Sequence, residues 1–389
     1  MPPSRRTGAT PPIPCVLGNT DLVRALGLAG IRSAVVAPPR SPVASSRFAA
    51  GRIPRADNWG QPQRLLANLV RYGEHRPGTP LFFQHDGDLV FVSRHRDVLQ
   101  RMFTFVLGDA CLIERLVNKT RFVELASEAG LPTPPSVVLR PGAGGDPPEV
   151  PFDYPVVVKP VTRRDVVWKP IAHGAKAVEL HSSGELDAIW PVLAASGVEF
   201  VLQELVPGRE DHVESYHAYV DEGGEVVGEF TGRKLRTWPP AYGETTALEI
   251  TDQGDVRELG RWCMRELGLR GVAKLDFKRA PDETLFLLEV NARFNLWHLP
   301  GAVAGTNLPA LVYADLVGRR RPATGLHPGV RWSVPWFDLR AARAEGMSLA
   351  AWLRWQARCE TRHILAVDDP MPFIQGLVWR RGRRALGSR

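Results

Sequence analysis

GVAKLDFKRAPDETLFLLEVNAR, residues 271–293, is the stretch on which the reading of the whole chain turns. Two apolar-rich runs flank Ala280-Pro281-Asp282-Glu283, the pattern of a two-stranded hairpin. In a strand, alternate residues share a face. Lys274, Asp276 and Lys278 therefore lie on one face of the first strand, and Glu289, Asn291 and Arg293 on one face of the second. A tight turn centred on Asp282-Glu283 sets Asp276 opposite Glu289 and Lys274 opposite Asn291. A slip of one residue destroys that arrangement.

Carboxylates placed directly opposite one another repel, so a positive group is expected between Asp276 and Glu289. Two carboxylates and the Asn291 amide oxygen are hard oxygen donors, the kind that suits Mg²⁺ bridging nucleotide phosphates. The competing reading is an exposed hairpin face with Asp276 paired to a lysine.

Working outward, further polar residues stand at the ends of apolar runs. Lys159 closes the run VVV at 156–158, and Lys119 sits on a helix before the Pro-rich link 131–135. A lone lysine at either place is ordinarily solvated; phosphate binding is the sharper alternative. Gln203-Glu204-Leu205-Val206-Pro207-Gly208-Arg209-Glu210 follows VEFVL. A strand leaving the core there exposes backbone groups that can read an adenine edge, and a following acid can hold ribose hydroxyls. Arg233, Lys234 and Arg236 put three cations in four positions beside a turn. They could clamp a phosphoryl group or a substrate carboxylate, or form a solvated charged loop. Tyr242 and Glu244 could line an amine site. His173, His212, His217 and His298 are read as satisfied polar residues.

The N-terminal part reads as strand (13–18), helix (21–30) and strand (31–37), a right-handed parallel unit, with further strands at 81–83 and 89–92. Its first turn, Gly18-Asn19-Thr20-Asp21, lacks the G-x-G-x-x-G spacing of a dinucleotide site. Residues 112–130 and 252–268 read as helices, and 213–234 as a hairpin turning at Asp221–Gly224. A Trp-rich segment follows from 326, with Leu349, Trp352, Leu353 and Gln356 at helical spacing as a packing stripe.

The chain has 389 residues, enough for two or three domains. Its net charge of +7 gathers partly in Arg380, Arg381, Arg383 and Arg384, without the aromatic platform or helix-turn-helix pattern of a nucleic-acid binder. No apolar run approaches the roughly 20 residues of a membrane span. Four scattered cysteines suggest neither a zinc site nor a disulfide framework, so reduced thiols in the cytoplasm are expected.

Taken in order, NKTRFVELASEAGLPTPP (118–135), YPVVVKP (154–160), VLQELVPGRE (201–210), TGRKLRTWPPAYGETT (231–246), GVAKLDF (271–277) and LLEVNAR (287–293) resemble the ATP-grasp superfamily, nearest its carboxylate–amine ligase branch. The resemblance covers roughly residues 13–325. It implies an α/β (α+β) architecture: an open N-terminal α/β domain (1–112) before a two-lobed ATP-grasp domain (113–325) with antiparallel sheets. The smaller lobe would span about 130–205 and the metal-bearing lobe about 206–325, with a helical C-terminal extension at 326–389.

It also implies roles. Lys119 and Lys159 would contact nucleotide phosphates; Gln203, Glu204 and Val206 would face adenine, and Glu210 would hold ribose. Asp276, Glu289 and Asn291 would carry Mg²⁺, with Mn²⁺ as a substitute. Lys234 would touch the γ-phosphate, and Lys274 and Arg293 would steady an acyl phosphate. The implied partners are ATP and small carboxylate and amine substrates, with no membrane, no nucleic acid and room for a homodimer. An ATP-grasp kinase or carboxylase and a non-catalytic nucleotide binder are the alternatives. The stretch 161–174, VTRRDVVWKPIAHG, departs from the small, Gly-rich flap of the family, handing phosphate closure to Arg163, Arg164 and Lys169. Together with 235–246 it forms the expected lids. Lys274 stands where some relatives carry arginine.

Overall fold

A computed structural model describes residues 11–140, 146–161, 168 and 177–377. The N-terminal region builds a parallel sheet from β1 (Cys15–Leu17), β2 (Ser33–Ala37), β3 (Ala49–Pro54), β4 (Thr79–Phe83) and β5 (Phe103–Thr104), in the order β3-β2-β1-β4-β5. α1 (Thr20–Leu28) starts where Asn19 accepts hydrogen bonds from the backbone N–H groups of Asp21 and Leu22, an N-cap that removes two orphan donors. α2 (Pro62–Glu74) precedes β4. Residues 89–92, expected as a strand, lie instead in α3 (Asp86–Arg94). Leu89 to Val92 are all buried, and a short apolar run of this kind has no period to separate strand from buried helix. Asp86 and Asp88 in the first turn favour the helix through its dipole, and buried Asp88 is held by Arg55 (2.5 and 3.2 Å) and Asn58 (2.9 Å).

After α4 (Arg96–Leu99), the expected helix over 112–130 is two helices, α5 (Ala110–Val117) and α6 (Lys119–Glu128). Asn118 breaks the run by capping the second with its side chain, which places Lys119 at that helix's first position. The smaller lobe is a four-stranded antiparallel sheet, ordered β6-β9-β7-β8, of β6 (Ser136–Leu139), β7 (Val156–Pro160), β8 (Val178–Leu180) and β9 (Phe200–Glu204). Its inner face packs Val156, Val158 and Leu202 against Leu186, Trp190 and Leu193 of α7 (Ser183–Ser196).

The larger lobe is a seven-stranded sheet, ordered β14-β13-β10-β11-β12-β15-β16. Its strands are β10 (Val213–Val220), β11 (Val226–Trp238), β12 (Glu244–Thr251), β13 (Gly271–Arg279), β14 (Leu285–Asn291), β15 (Arg331–Ser333) and β16 (Thr361–Arg362). α8 (Gly254–Glu266) covers one face; Gly260 sits so close to the Tyr216 ring that a Cβ would stand 2.3 Å from it. α9 (His298–Val303) and α10 (Leu308–Leu316) lie toward the N-terminal domain. The segment from 326 adds β15 and β16 to the sheet, besides α11 (Pro335–Ala344) and α12 (Leu349–Ala357). The packing stripe expected on α12 is not a core seam: Leu349 and Leu353 are 47% and 53% exposed, and Gln356 is buried instead. No helix among the described residues is long and apolar enough to cross a membrane.

His217 and His298 are fully buried beside Phe230, Trp297 and Phe294, and none of their ring nitrogens has a hydrogen-bond partner among the described residues. They are therefore not the satisfied polar residues expected; the aromatic wall offers them no acceptor. Burial holds both imidazoles neutral, His298 down to about 3. A histidine depressed in the folded state makes the unfolded chain bind the extra proton below about pH 6.5. Its stabilising contribution is whole above that pH and declines as pH falls toward 3. For His298 the decline between pH 7.5 and pH 5 is about 2 kcal/mol. Urea unfolding at those two pH values should show this loss in the wild type and a smaller one in His298→Leu; equal losses would mean the imidazole is already protonated or hydrated in the native state.

Candidate active site

The hairpin of β13 and β14 places its residues by an unexpected route. The ladder begins with Arg279 opposite Leu285 and continues through Phe277 opposite Leu287. The turn is therefore centred on Asp282, half a residue earlier than the sequence suggested, with Glu283 in a left-handed conformation (φ 69°). Continued unbroken, this register would put Leu288 opposite Asp276. The register shifts beyond Phe277, so Leu288 is an extra residue on β14, and Asp276 faces Glu289 while Lys274 faces Asn291. The pairing expected from sequence is present, produced by a turn and a β-bulge together.

Asp276 is 1% exposed and Glu289 is exposed, so the pair runs from the sheet interior to the cleft. Lys274 Nζ donates to Asp276 Oδ2 at 2.6 Å, and Ser215 Oγ on β10 donates a short hydrogen bond to Asp276 Oδ1. Burial penalises the Asp276 carboxylate, but the Lys234 and Lys274 ammoniums outweigh it and hold the carboxyl far below the usual range. Lys274 is pulled down by burial, against the opposing pull of Asp276. Its ammonium also lies 5.5 Å from the Trp297 ring centre, and Trp297 packs over Gly232, where a Cβ would stand 2.4 Å from the indole. Burial lowers Lys234 too, yet the carboxylates of Asp276, Glu289, Glu210 and Glu244 more than offset it, and its pKa is raised.

Asn291 Nδ2 donates to Glu289 Oε1 (3.1 Å), and Arg293 Nη2 donates to Asn291 Oδ1 (2.9 Å). Arg293 is then held by the N-terminal domain, through Gln84 O (3.0 Å) and a short bond to Asp86. Asp276, Glu289 and Asn291 thus share one strip, with hard oxygens of two carboxylates and an amide; the donor set fits a divalent cation. Among the described residues no group of three or more His, Cys, Asp or Glu side chains could hold a metal. Such a strip suits Mg²⁺ brought in with phosphates and still partly hydrated, rather than a cage made by protein alone.

The smaller lobe supplies the opposite wall. Lys159 Nζ donates to Gln203 Oε1 (2.6 Å), whose amide nitrogen donates to Ser136 Oγ (2.8 Å). Lys119 Nζ donates to the carbonyl O of Pro160 (2.7 Å), the last residue of β7 and the neighbour of Lys159 in the chain. Gln203 differs from expectation: its backbone lies inside the ladder, between Ser136 and Val157. The N–H groups of Glu204 and Leu205 go to Pro135 O (2.9 Å) and Pro155 O (3.1 Å). The strand therefore leaves the core later than the sequence suggested, and Val206 is the first residue beyond it. Glu210 accepts from Tyr242 N (3.1 Å), and Tyr242 Oη donates to Glu179 on β8 (2.7 Å), so the turn between β11 and β12 spans both lobes. Tyr242 thus reaches Glu210 and Glu179. Of the expected lid 235–246 only residues 239–243 are turn, and there Gly243 is obligatory, since a Cβ would stand 2.0 Å from Pro239 O. Of the other expected lid, Arg163, Arg164, Lys169 and His173 lie outside the described residues, with the rest of 162–174 except Trp168.

Sequence reasoning missed Ser215, Trp297, Gln84 and Asp86, which meet the site only through non-local register. It also gave no role to Lys278, although the alternation had placed it on the right face; there burial lowers it while Glu210 and Glu179 pull it up.

The overall arrangement of these sheets and helices recurs in solved proteins. N5-carboxyaminoimidazole ribonucleotide synthetase, in an ADP complex, superposes with a TM-score of 0.61 at 15% identity, covering 84% of this chain and 82% of that one. An L-amino acid ligase from Bacillus licheniformis gives 0.58 at 16%, covering 80% and 75%. The chain has the ATP-grasp fold. No family model matches it. In sequence it is 28% identical over 255 residues to a D-aspartate ligase of Enterococcus faecium, covering 64% of this chain and 61% of that protein. It is 30% identical over 204 residues to a D-alanine–D-alanine ligase of Desulfovibrio desulfuricans, covering 50% and 60%. The matched part is thus less than two thirds the length of these curated relatives.

Burial pulls the Lys159 ammonium down to about 8, against Glu289, which pulls it up. If Lys159 binds phosphate, ADP affinity is full below that pH and weakens as the ammonium deprotonates. Between pH 7 and pH 9.5 the wild-type Kd should rise by about tenfold, the loss of one charged contact. Lys159→Gln should bind more weakly with a flat profile; a wild-type slope retained in that variant would assign the titration to another group.

Proposed function

We propose that this ATP-grasp chain is an ATP-dependent carboxylate–amine ligase that forms an amide through an acyl phosphate. The observation that carries the reading is the Asp276–Glu289–Asn291 strip, set among Lys159, Lys234, Lys274 and Arg293 in the cleft between the two lobes. The relatives named as D-aspartate and D-alanine–D-alanine ligases support the reaction class and make amino acids the first substrates to try.

In this reading Val206, with Gln203 and Glu204 behind it, faces adenine, and Glu210 exchanges its Tyr242 contact for ribose hydroxyls. Lys119 and Lys159 take the inner phosphates and Lys234 the γ-phosphate. Asp276, Glu289 and Asn291 would hold Mg²⁺, or Mn²⁺ in its place, which neutralises phosphate charge when bound. A substrate carboxylate oxygen attacks the γ-phosphorus and ADP leaves. The amine nitrogen then attacks the acyl carbon and inorganic phosphate leaves. The protein's share is position and field. Lys274 is held by Asp276 and Arg293 by Asp86, Gln84 and Asn291, so both are oriented before the substrate arrives. Tyr242, reaching from Glu210 to Glu179, keeps water from the acyl phosphate.

The test is ADP release and hydroxamate formation with Mg-ATP, hydroxylamine and a panel of amino acids and small carboxylates. Hydroxamate that depends on one carboxylate is expected. Glu289→Gln should lower it by at least about a hundredfold, as loss of a metal ligand at phosphoryl transfer implies. ADP without hydroxamate would point to a kinase, and normal turnover in folded Glu289→Gln would remove the metal assignment.

A further inference from the structure

The C-terminal segment grips the strand that carries Lys234. Asp338 of α11 is fully buried and accepts five hydrogen bonds. They come from Arg236 Nε (2.7 Å) and Nη2 (3.0 Å), Trp352 Nε1 (2.9 Å), Gln356 Nε2 (3.0 Å) and Thr246 Oγ1 (3.3 Å). The Arg236 guanidinium also lies over the Trp355 ring, 4.1 Å from its centre. A bidentate, stacked and buried guanidinium has almost no rotational freedom left.

The register explains why this matters for the cleft. Lys234 pairs with Leu248, but Arg236 pairs with Ala247 and Thr237 with Thr245. Leu235 is therefore an extra residue on β11, and Thr246 an extra residue on β12. Without the first bulge Lys234 and Arg236 would share a face, as residues two apart in a strand do. With it, Lys234 stays on the face of Asp276 while Arg236 turns to the opposite face, toward α11. Asp338 bonds the residue after one bulge (Arg236) and the bulged residue of the other strand (Thr246), so one buried carboxylate pins the distortion from both sides. At the end of α11, Glu345 stands 3.8 Å from Arg209, next to Glu210.

We infer that Asp338 and Arg236 are positioning residues for Lys234: the C-terminal segment fixes the paired bulge of β11 and β12, and through it the aim of the ammonium at the terminal phosphate. The inference rests on the reading that Lys234 meets the γ-phosphate.

The experiment compares binding of Mg-ADP and of a non-hydrolysable Mg-ATP analogue to wild type, Lys234→Met, Asp338→Asn and the double variant. Thermal unfolding of each confirms the folded state. A γ-phosphate contact makes the wild type prefer the triphosphate, and Lys234→Met should erase that preference by about tenfold. Asp338→Asn keeps an acceptor for Trp352 and Gln356 but loses the charge. It should cut the preference at least about threefold while leaving Mg-ADP affinity within about twofold, and should add nothing to Lys234→Met, since both act through one contact. Trp355→Leu, which removes only the stacked ring, should shift the preference in the same direction and carries the test if Asp338→Asn does not fold. A wild-type preference in folded Asp338→Asn or Trp355→Leu, with Lys234→Met reduced, would overturn the positioning role and leave the nucleotide reading standing. A full preference in Lys234→Met would overturn the γ-phosphate assignment and the inference with it.

Discussion

Two carboxylates facing each other across one hairpin are the constraint on which the cleft depends. Asp276 and Glu289 would repel if left alone, and opposed like charges weaken a sheet. The chain answers with cations from several elements: Lys274 on the same strand, Lys234 on β11 and Lys159 from the smaller lobe. None of these is far enough from the strip to be indifferent to it. Burial works against the Lys234 charge, and the carboxylates of Asp276, Glu289, Glu210 and Glu244 more than offset it. The site thus sets carboxylates and ammonium groups close together, so that each charge is offset by neighbours of opposite sign.

That balance requires exact faces, and the faces are set by irregularities. Leu288 is the extra residue that brings Glu289 round to Asp276; Leu235 is the one that separates Lys234 from Arg236. Bulges of this sort re-aim side chains next to functional sites. Both here are secured from outside the strand pair. The first lies beside a hairpin whose end runs into Arg293, anchored to the N-terminal domain through Gln84 and Asp86. The second is secured by Asp338. The preceding domain thus contacts Arg293 of the hairpin, and the C-terminal segment contacts Arg236 and Thr246 of the paired bulge.

The hairpin was legible in the sequence because Lys274, Asp276 and Lys278 alternate with apolar residues in the first strand, and Glu289, Asn291 and Arg293 in the second. The compensating turn and bulge were not, since a turn shifted by half a residue plus one extra residue leave the same pairs facing. Lys159 was legible as the end of an apolar run and Lys119 as a helix residue before the Pro-rich link, while the bond from Lys119 to Pro160 O was not. Residues 89–92 misled because four buried apolar residues carry no period. Gln203 misled because only the pairing of β9 with both β6 and β7 shows that its backbone is engaged. Ser215 and Asp338 reach their partners across 61 and 102 positions of chain, a separation at which local pattern carries no information.

The most direct measurement of the central claim is the stoichiometry of Mn²⁺ bound to the protein, by electron paramagnetic resonance, with and without a non-hydrolysable ATP analogue. Weak binding is expected without nucleotide, one or two ions per chain with it, and loss of the nucleotide-dependent ions in Asp276→Asn. Tight Mn²⁺ binding without nucleotide, or undiminished binding in folded Asp276→Asn, would contradict a strip built to receive its cation together with phosphate.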